Sequence, residues 1–599
     1  MMTRAFEHFP NLVTMFFTRA AERGDAPFLW RKVEGAWTSI SWAETAARVA
    51  ALAASLKAQG LQPGDRVLLV SENRPEWCIA DLAIMAAGCV TVPAYTSNTV
   101  RDHSHILENS GAKAVIVSTA KLAINLIPAV LRAGQCGLVI GIDAMRIGQA
   151  GPFRFETFEA LAGGPADVAA CAADAERFQR SDLACLIYTS GTGGAPRGVR
   201  QHHGAILQNV EGCVRIIAED FGWSEEEVFL SFLPLSHAYE HSGGQHLPIG
   251  LGGQIYYAEG LEKLAANIEE VRPTIMVVVP RLFEVLRTRI AKSIEKQGAV
   301  PHWLMDRAIA MGDKPHLWQR PLDMLLSATI RRKVRGRFGG RLKALVSGGA
   351  PLNPEVGRFF QALGIMLLQG YGQTEAGPVI SCNRPGAGIK FDTVGPPLHG
   401  VEVRIAADGE ILVRGELVMH GYWQAEEETR RAIDGEGWLH TGDIGHLDAQ
   451  GRLVITDRKK DIIVNDKGDN VAPQRIEGML TLQPEILQAM VVGDKRPYLV
   501  GLVVPDPEWT AEWAIAQDKP VDFTALAGDP EYQRALQAAV DRVNGDLSAI
   551  EKVRRVIIAD APFDIENEQL TPSMKIRRHI IRAVYGDRLD GLYKQAASY

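Results

Sequence analysis

The chain has 599 residues, 46% of them hydrophobic and 23% charged, with a formal net charge of −7 at pH 7. That length exceeds one ordinary core, so two or more domains are expected, and the modest acidity of an otherwise globular composition argues against a nucleic-acid binder. Seven scattered cysteines, with no C-x-x-C pair and no histidine cluster nearby, speak for reduced thiols in a cytoplasmic protein rather than a disulfide frame or a cysteine-based zinc site. The N-terminal residues lack the apolar run of a signal peptide, and no segment reaches the ~18 uninterrupted apolar residues of a membrane span.

Ser41 and Glu44 have capping-box spacing, and Trp42, Ala46, Val49, Leu52, Ala53 and Leu56 then recur at helical intervals up to Gly60. The runs DRVLLVS (65–71), CVTVPAY (89–95), AKAVIVS (112–118) and GLVIGI (137–142) read as buried strands, with a helix after Pro75. Alternating strands and helices predict an α/β domain with mostly parallel sheets. Further strands are expected at 183–190, 228–236, 274–280, 342–349 and 365–372. From about 394 to 457, short alternating strands with glycine turns (VEVRI, GEILVRG, GRLVITD) predict a small β-rich subdomain. The expected organisation is a large N-terminal domain over 1–457, a charged, turn-rich linker over 458–469, and a small α+β domain over 470–599. Segment 284–343 is expected to be helical and polar. It ends in Arg331, Arg332, Lys333, Arg335, Arg337, Arg341 and Lys343 with no acid between them, which suits a solvated face, a membrane-surface patch or a cosubstrate's phosphates. His202 and His203 are expected at the surface.

The stretch YTSGTGGAPRG (188–198) follows a predicted strand and combines backbone N–H groups, hydroxyls and one cation, a composition suited to phosphate. It is neither a P-loop nor a dinucleotide fingerprint, because Pro196 stands where each pattern needs something else. Other glycine-rich or polar turns follow in order: SGGAPL (347–352), QGYGQTEAG (369–377), WLHTGDIG (438–445), DRKKDIIV (457–464) and LTPSMKIRR (570–578).

With these motifs, in this order, the sequence resembles the adenylate-forming acyl-CoA synthetases, most closely the long-chain fatty acid–CoA ligases, over nearly its whole length. The resemblance implies ATP-dependent formation of an acyl-adenylate with release of pyrophosphate, then displacement of AMP by the coenzyme A thiol, with a small C-terminal domain that rotates between the steps. It implies that Thr189, Ser190, Gly191, Thr192, Gly193, Gly194 and Arg197 hold the ATP phosphates, that Glu375 binds Mg²⁺, and that Thr374 reaches the α-phosphate. By the same resemblance Gly349, Ala350, Pro351 and Tyr371 would line the adenine site, Gln369 and Gly372 would belong to the nucleotide site, and Asp443 and Arg458 would serve the ribose. It further implies that Lys460 is the hinge, that Gly468 borders the coenzyme A channel, that His237 gates the acyl pocket, and that Lys575 is the catalytic lysine. Three positions depart from the pattern: Gly193 replaces a threonine, Arg197 a lysine, and Asp469 a lysine beside Gly468. Two alternatives accompany this reading. One is a fatty acyl-AMP ligase that serves a carrier protein; the other is a non-catalytic nucleotide-binding relative. The expected partners are a fatty acid, ATP and coenzyme A, with no nucleic acid, and a cytoplasmic protein is compatible with peripheral association at a membrane.

Overall fold

The computed structural model describes residues 6–147, 151–189, 195–224, 226–280, 282–283, 286–287, 290, 299–311, 320–571 and 575–594. Contacts divide the chain into two compact units. The first comprises Met1–Arg404, Leu412–Thr441 and Leu447–Val454; the second comprises Ile405–Ile411, Gly442–His446 and Ile455–Tyr599.

The first unit is built on two large sheets. One has seven strands in the order 154–157, 138–141, 114–117, 66–70, 90–94, 183–189, 197–202. Its interior pairings are parallel, and only the last hairpin is antiparallel. The other has eight strands in the order 379–382, 367–372, 344–347, 275–278, 228–231, 254–257, 27–33, 36–41, again parallel inside with antiparallel pairs at both edges. The interior strands are continuous apolar runs because helices cover both faces, and a strand buried on both faces has no polar alternation. Val67 to Val70 and Ala114 to Val117 are all fully buried.

Helix Trp42–Ala58 starts where Ser41 accepts a hydrogen bond from Glu44 N at 3.1 Å, and its six apolar positions are buried as the spacing requires. Every residue of helix Pro75–Ala86 is buried, as expected of a helix that is apolar nearly all round. The stretch 228–236 is strand only over Val228–Ser231; the rest forms the turn that leads into His237.

The β-rich stretch supplies strands Glu402–Ile405, Glu410–Arg414, Leu439–Leu447 and Leu453–Arg458, and the division between the units runs through it. The second unit carries a three-stranded sheet in the order 486–492, 499–505, 553–558, antiparallel and then parallel, with helices Pro530–Gly545 and Arg578–Lys594 contributing to its cores. Within 458–469 the chain is folded: Ile463–Val464 pairs with Asn470–Val471 across a turn organised by Asn465.

Candidate active site

Strands Leu183–Thr189 and Arg197–His202 pair antiparallel, with Thr189 opposite Arg197. The glycine-rich loop therefore leaves and re-enters the sheet at these two residues. Ser190, Gly191, Thr192, Gly193 and Gly194 lie outside the described residues. The Arg197 guanidinium sits 4.5 Å from the ring centroid of Tyr422, a cation–π contact. The Tyr422 hydroxyl donates to Glu375 Oε1 at 2.9 Å. Burial, followed by the nearby Glu375 carboxylate, raises the Tyr422 pKa far above its ordinary value, so the phenol stays a donor. One aromatic ring thus connects the cation at the end of the loop to the carboxylate expected to hold magnesium.

Glu375 lies in the 3-10 turn Thr374–Ala376, directly after strand Leu367–Gly372. Its backbone is held from three sides. Met419 N donates to Glu375 O at 2.9 Å, the Gln201 amide donates to Thr374 O, and Asn209 Oδ1 accepts from Val379 N at 2.5 Å. Gly372 is required by a close approach, since a Cβ there would lie 1.8 Å from the Pro378 carbonyl oxygen. Tyr371 is 9% exposed and pairs with Ser381, and Gln369 is buried on the same strand. The neighbouring strand Ala344–Ser347 delivers Gly348, then the exposed Gly349, Ala350 and Pro351. Gly349 has φ +81°, where glycine avoids the Cβ penalty. Tyr239 packs against Gly348 and donates to Val346 O at 2.8 Å. His237, two residues earlier, caps a short helix through Nδ1, which accepts from Tyr239 N at 3.2 Å.

The remaining candidates belong to the second unit. Asp443 is 6% exposed, with the Arg458 guanidinium Nε 3.4 Å from its carboxylate. Strand Leu439–Leu447, which carries Asp443, is held by Glu410, which accepts from Gly442 N at 2.9 Å and pairs with Lys459 at 3.0 Å. Lys460 is exposed in the turn after strand Leu453–Arg458. Gly468 has φ +85° with open space around its Cα. Asp469 is engaged locally: its Oδ2 accepts from Asn465 Nδ2 at 3.0 Å, and its N–H donates to Asn465 Oδ1 at 2.8 Å. The carboxylate that replaces the expected lysine therefore braces the turn presenting Gly468. Lys575 is exposed, and its backbone N–H donates to Thr571 Oγ1 at 3.0 Å. Residues 572–574 of that motif lie outside the described residues.

One expectation is overturned. His202 and His203 are not at the surface but 4% and 3% exposed. His202 bonds Arg180 O and Val418 O, caps helix His203–Asp220, and stacks on His420 at 3.9 Å. A polar pair at a strand end looks like a surface turn in sequence, but here the chain 415–421 covers it. The basic run is also less bare than it reads, because Arg331 pairs with Asp323, Arg337 with Glu269 and Lys343 with Glu227. Tyr422, Gln201 and Asn209 were not found from sequence. Their contacts with the Thr374–Val379 segment span 47 to 173 positions, and no motif marks them.

The folded chain and its motifs define an AMP-binding enzyme. Residues 16–423 match the family model for AMP-binding enzymes, and residues 460–597 match that for the AMP-binding enzyme C-terminal domain; the chain belongs to this family. It is 32% identical to the long-chain-fatty-acid–CoA ligase FadD15 of Mycobacterium bovis, over 98% of this chain and 97% of the relative. It is 29% identical to long-chain-fatty-acid–CoA ligase 6 of Mus musculus, over 99% and 88% respectively. Among solved structures it is similar in fold to the A domain of a carboxylic acid reductase from Segniliparus rugosus in complex with AMP and a co-purified carboxylic acid, with a TM-score of 0.75 at 22% identity over 98% of this chain and 94% of that one.

Proposed function

We propose that the protein is an AMP-forming long-chain fatty acid–CoA ligase. The observation that carries this reading is the Arg197–Tyr422–Glu375 link at the base of the glycine-rich loop. It sets a fixed cation and a hard carboxylate donor side by side, as a site for a polyphosphate with its magnesium requires. The similarity to relatives named for long-chain fatty acids supports the substrate class.

Adenylation brings a carboxylate towards a polyanionic nucleotide, so charge must be neutralised before the two approach. Arg197 and the loop amides would hold the β- and γ-phosphates. The half-buried Glu375, fixed through Oε1, fits Mg²⁺ because that ion prefers hard oxygen donors, and the ion would neutralise phosphate charge there. Thr374 would orient the α-phosphate. Gly349, Ala350, Pro351 and Tyr371 would flank adenine, and Asp443 with Arg458 would take the ribose. Lys575 would bridge the attacking carboxylate oxygen and the α-phosphate, releasing pyrophosphate. The coenzyme A thiol then attacks the acyl carbon and AMP leaves. For that step the body carrying Lys575 would swing about Lys460 and present Gly468 to the thiol.

No helix among the described residues is long and apolar enough to cross a membrane. Peripheral association belongs to this reading, since Met324 and Leu325 are exposed just before the basic run. The test is AMP formation from ATP with fatty acids of graded length, with and without coenzyme A and Mg²⁺. AMP and thioester appearing together, with an optimum among long chains, are expected. Adenylate without thioester would replace this reading with an acyl-AMP ligase that serves a carrier protein.

A further inference from the structure

Helix Pro75–Ala86 is buried throughout, yet it carries a carboxylate at its centre, Asp81. A buried carboxylate costs several kcal/mol unless compensated, and the compensating groups come from one segment of the eight-stranded half. His241 Nε2 lies 2.8 Å from Asp81 Oδ2. Gln245 Nε2 donates to the same oxygen at 2.7 Å. His246 Nε2 is 3.6 Å from that oxygen and 3.2 Å from His241 Nε2. All four side chains are fully buried.

The backbone deviates from α-helix where these groups converge. In an α-helix, residues five apart diverge by roughly 140°. His241–His246 is a π-helix, and its wider turn returns residue i+5 towards the face of residue i. Such turns are rare and concentrate at functional sites. This one places both imidazoles on Asp81.

Protons alone satisfy the cluster poorly. The two Nε2 atoms face each other, and both face one carboxylate oxygen. If both carry hydrogen, two donors oppose each other at 3.2 Å. If neither does, two lone pairs confront an anion. With one hydrogen there are two arrangements: on His241 it bonds Asp81 at 2.8 Å but leaves the His246 lone pair facing the same carboxylate oxygen, and on His246 it leaves the His241 lone pair 2.8 Å from that anion. In every case Asp81 Oδ1 and Gln245 Oε1 remain buried without a hydrogen-bond partner, as do both Nδ1 atoms, which a metal held at Nε2 leaves unchanged. A divalent cation instead accepts both nitrogen lone pairs and the carboxylate oxygen together. Three atoms separated by 2.8, 3.2 and 3.6 Å share a point about 1.9 Å from each, so a metal at zinc–nitrogen distances of about 2.0–2.1 Å sits just off their plane. Asp81 Oδ1, buried without a partner on the same carboxylate, is the oxygen that can complete four-coordination.

We propose that Asp81, His241 and His246 form a closed site for a divalent transition metal of the zinc class. The nitrogen and carboxylate donors suit zinc, and complete burial suits a structural ion rather than one that turns over. The metal would tie helix Pro75–Ala86 to the segment four residues beyond His237. The site is separate from the magnesium–nucleotide chemistry proposed above and stands or falls independently of it.

The test uses the full-length, tag-free chain, purified without chelators from cells grown with added zinc. Elemental analysis is expected to find about one zinc per chain, retained through dialysis against EDTA and released on unfolding. Protein grown with cobalt should show the visible absorption of a four-coordinate Co²⁺ site. His246→Gln, folded by circular dichroism, should lose tenfold or more of the metal. If that variant does not fold, the metal count and the cobalt spectrum of the natural chain decide. Folded natural protein holding less than about a tenth of an equivalent of any transition metal after EDTA overturns the proposal. So does metal that remains in folded His246→Gln.

Discussion

At the scale of single residues, two side chains carry consequences that no motif announces. Tyr422 bonds Glu375 through its hydroxyl and supports Arg197 through its ring. Tyr422→Phe removes only the first contact. Losing a hydrogen bond to a charged group costs about 1.5–3 kcal/mol, so we expect adenylation to slow by roughly ten- to a hundredfold, with the Mg²⁺ dependence shifted to higher concentration and ATP affinity little changed. Steady-state kinetics across a Mg²⁺ series measure this, and an unshifted Mg²⁺ curve would separate Tyr422 from the metal. Asp457 is the second case. Burial pushes its carboxyl up to about 7; Asp461 and Glu477 add to the rise, while Arg578 and the Arg458 backbone N–H oppose it. Its folded pKa is raised, so its contribution is full below the unfolded value near 4 and is lost as pH climbs through about 7. Asp457→Asn should flatten that decline, leaving the second unit about 1–2 kcal/mol more stable than the natural chain at pH 8 when the two are matched at pH 4. Hydrogen exchange in strands 486–492 and 553–558 reads this as the ratio of natural to variant rates at each pH, and a ratio unchanged between pH 4 and pH 8 would reject it.

At the scale of elements, the site is made by strand ends. The strand that ends at Gly372 reverses into the antiparallel partner Val379–Cys382, with a cis Gly377–Pro378 bond in the turn. Between them stands the short Thr374–Ala376 turn that carries Glu375. Gly372→Ala places a methyl group into the Pro378 carbonyl, a backbone clash that no rotamer relieves. We expect a loss of about 3 kcal/mol or more and near-abolished adenylation; a thermal midpoint within a degree of the natural chain would contradict this. The His241–His246 turn follows the same logic, because one local deviation decides which side chains meet Asp81.

At the scale of the whole molecule, Glu375 and Arg197 lie in the first compact unit, and Asp443, Arg458 and Lys575 lie in the second. A reaction in two steps can therefore use different parts of the second unit at each step. Lys575→Ala should block adenylate formation by a factor of about 10³ or more, yet still convert supplied acyl-adenylate to thioester at near-normal rate. Stopped-flow measurement of each half-reaction checks this, and equal loss of both would remove Lys575 from its assigned step.

The alternation of apolar runs with capped amphipathic helices was readable from the chain itself, because local periodicity determines which residues can be buried. Helix Trp42–Ala58 begins at the expected cap, and the parallel strands fall where the runs stand. The motifs to which the chemistry is assigned here stand out in the chain as well, since each is contiguous and rich in glycine, hydroxyl or charge. What only tertiary structure decided is which distant residues complete them. Tyr422 meets Glu375 across 47 positions, His241 meets Asp81 across 160, and His202 is buried by a segment more than two hundred positions away. Such meetings follow from sheet order and helix packing. Neither the period of the chain nor the composition of a short window encodes them.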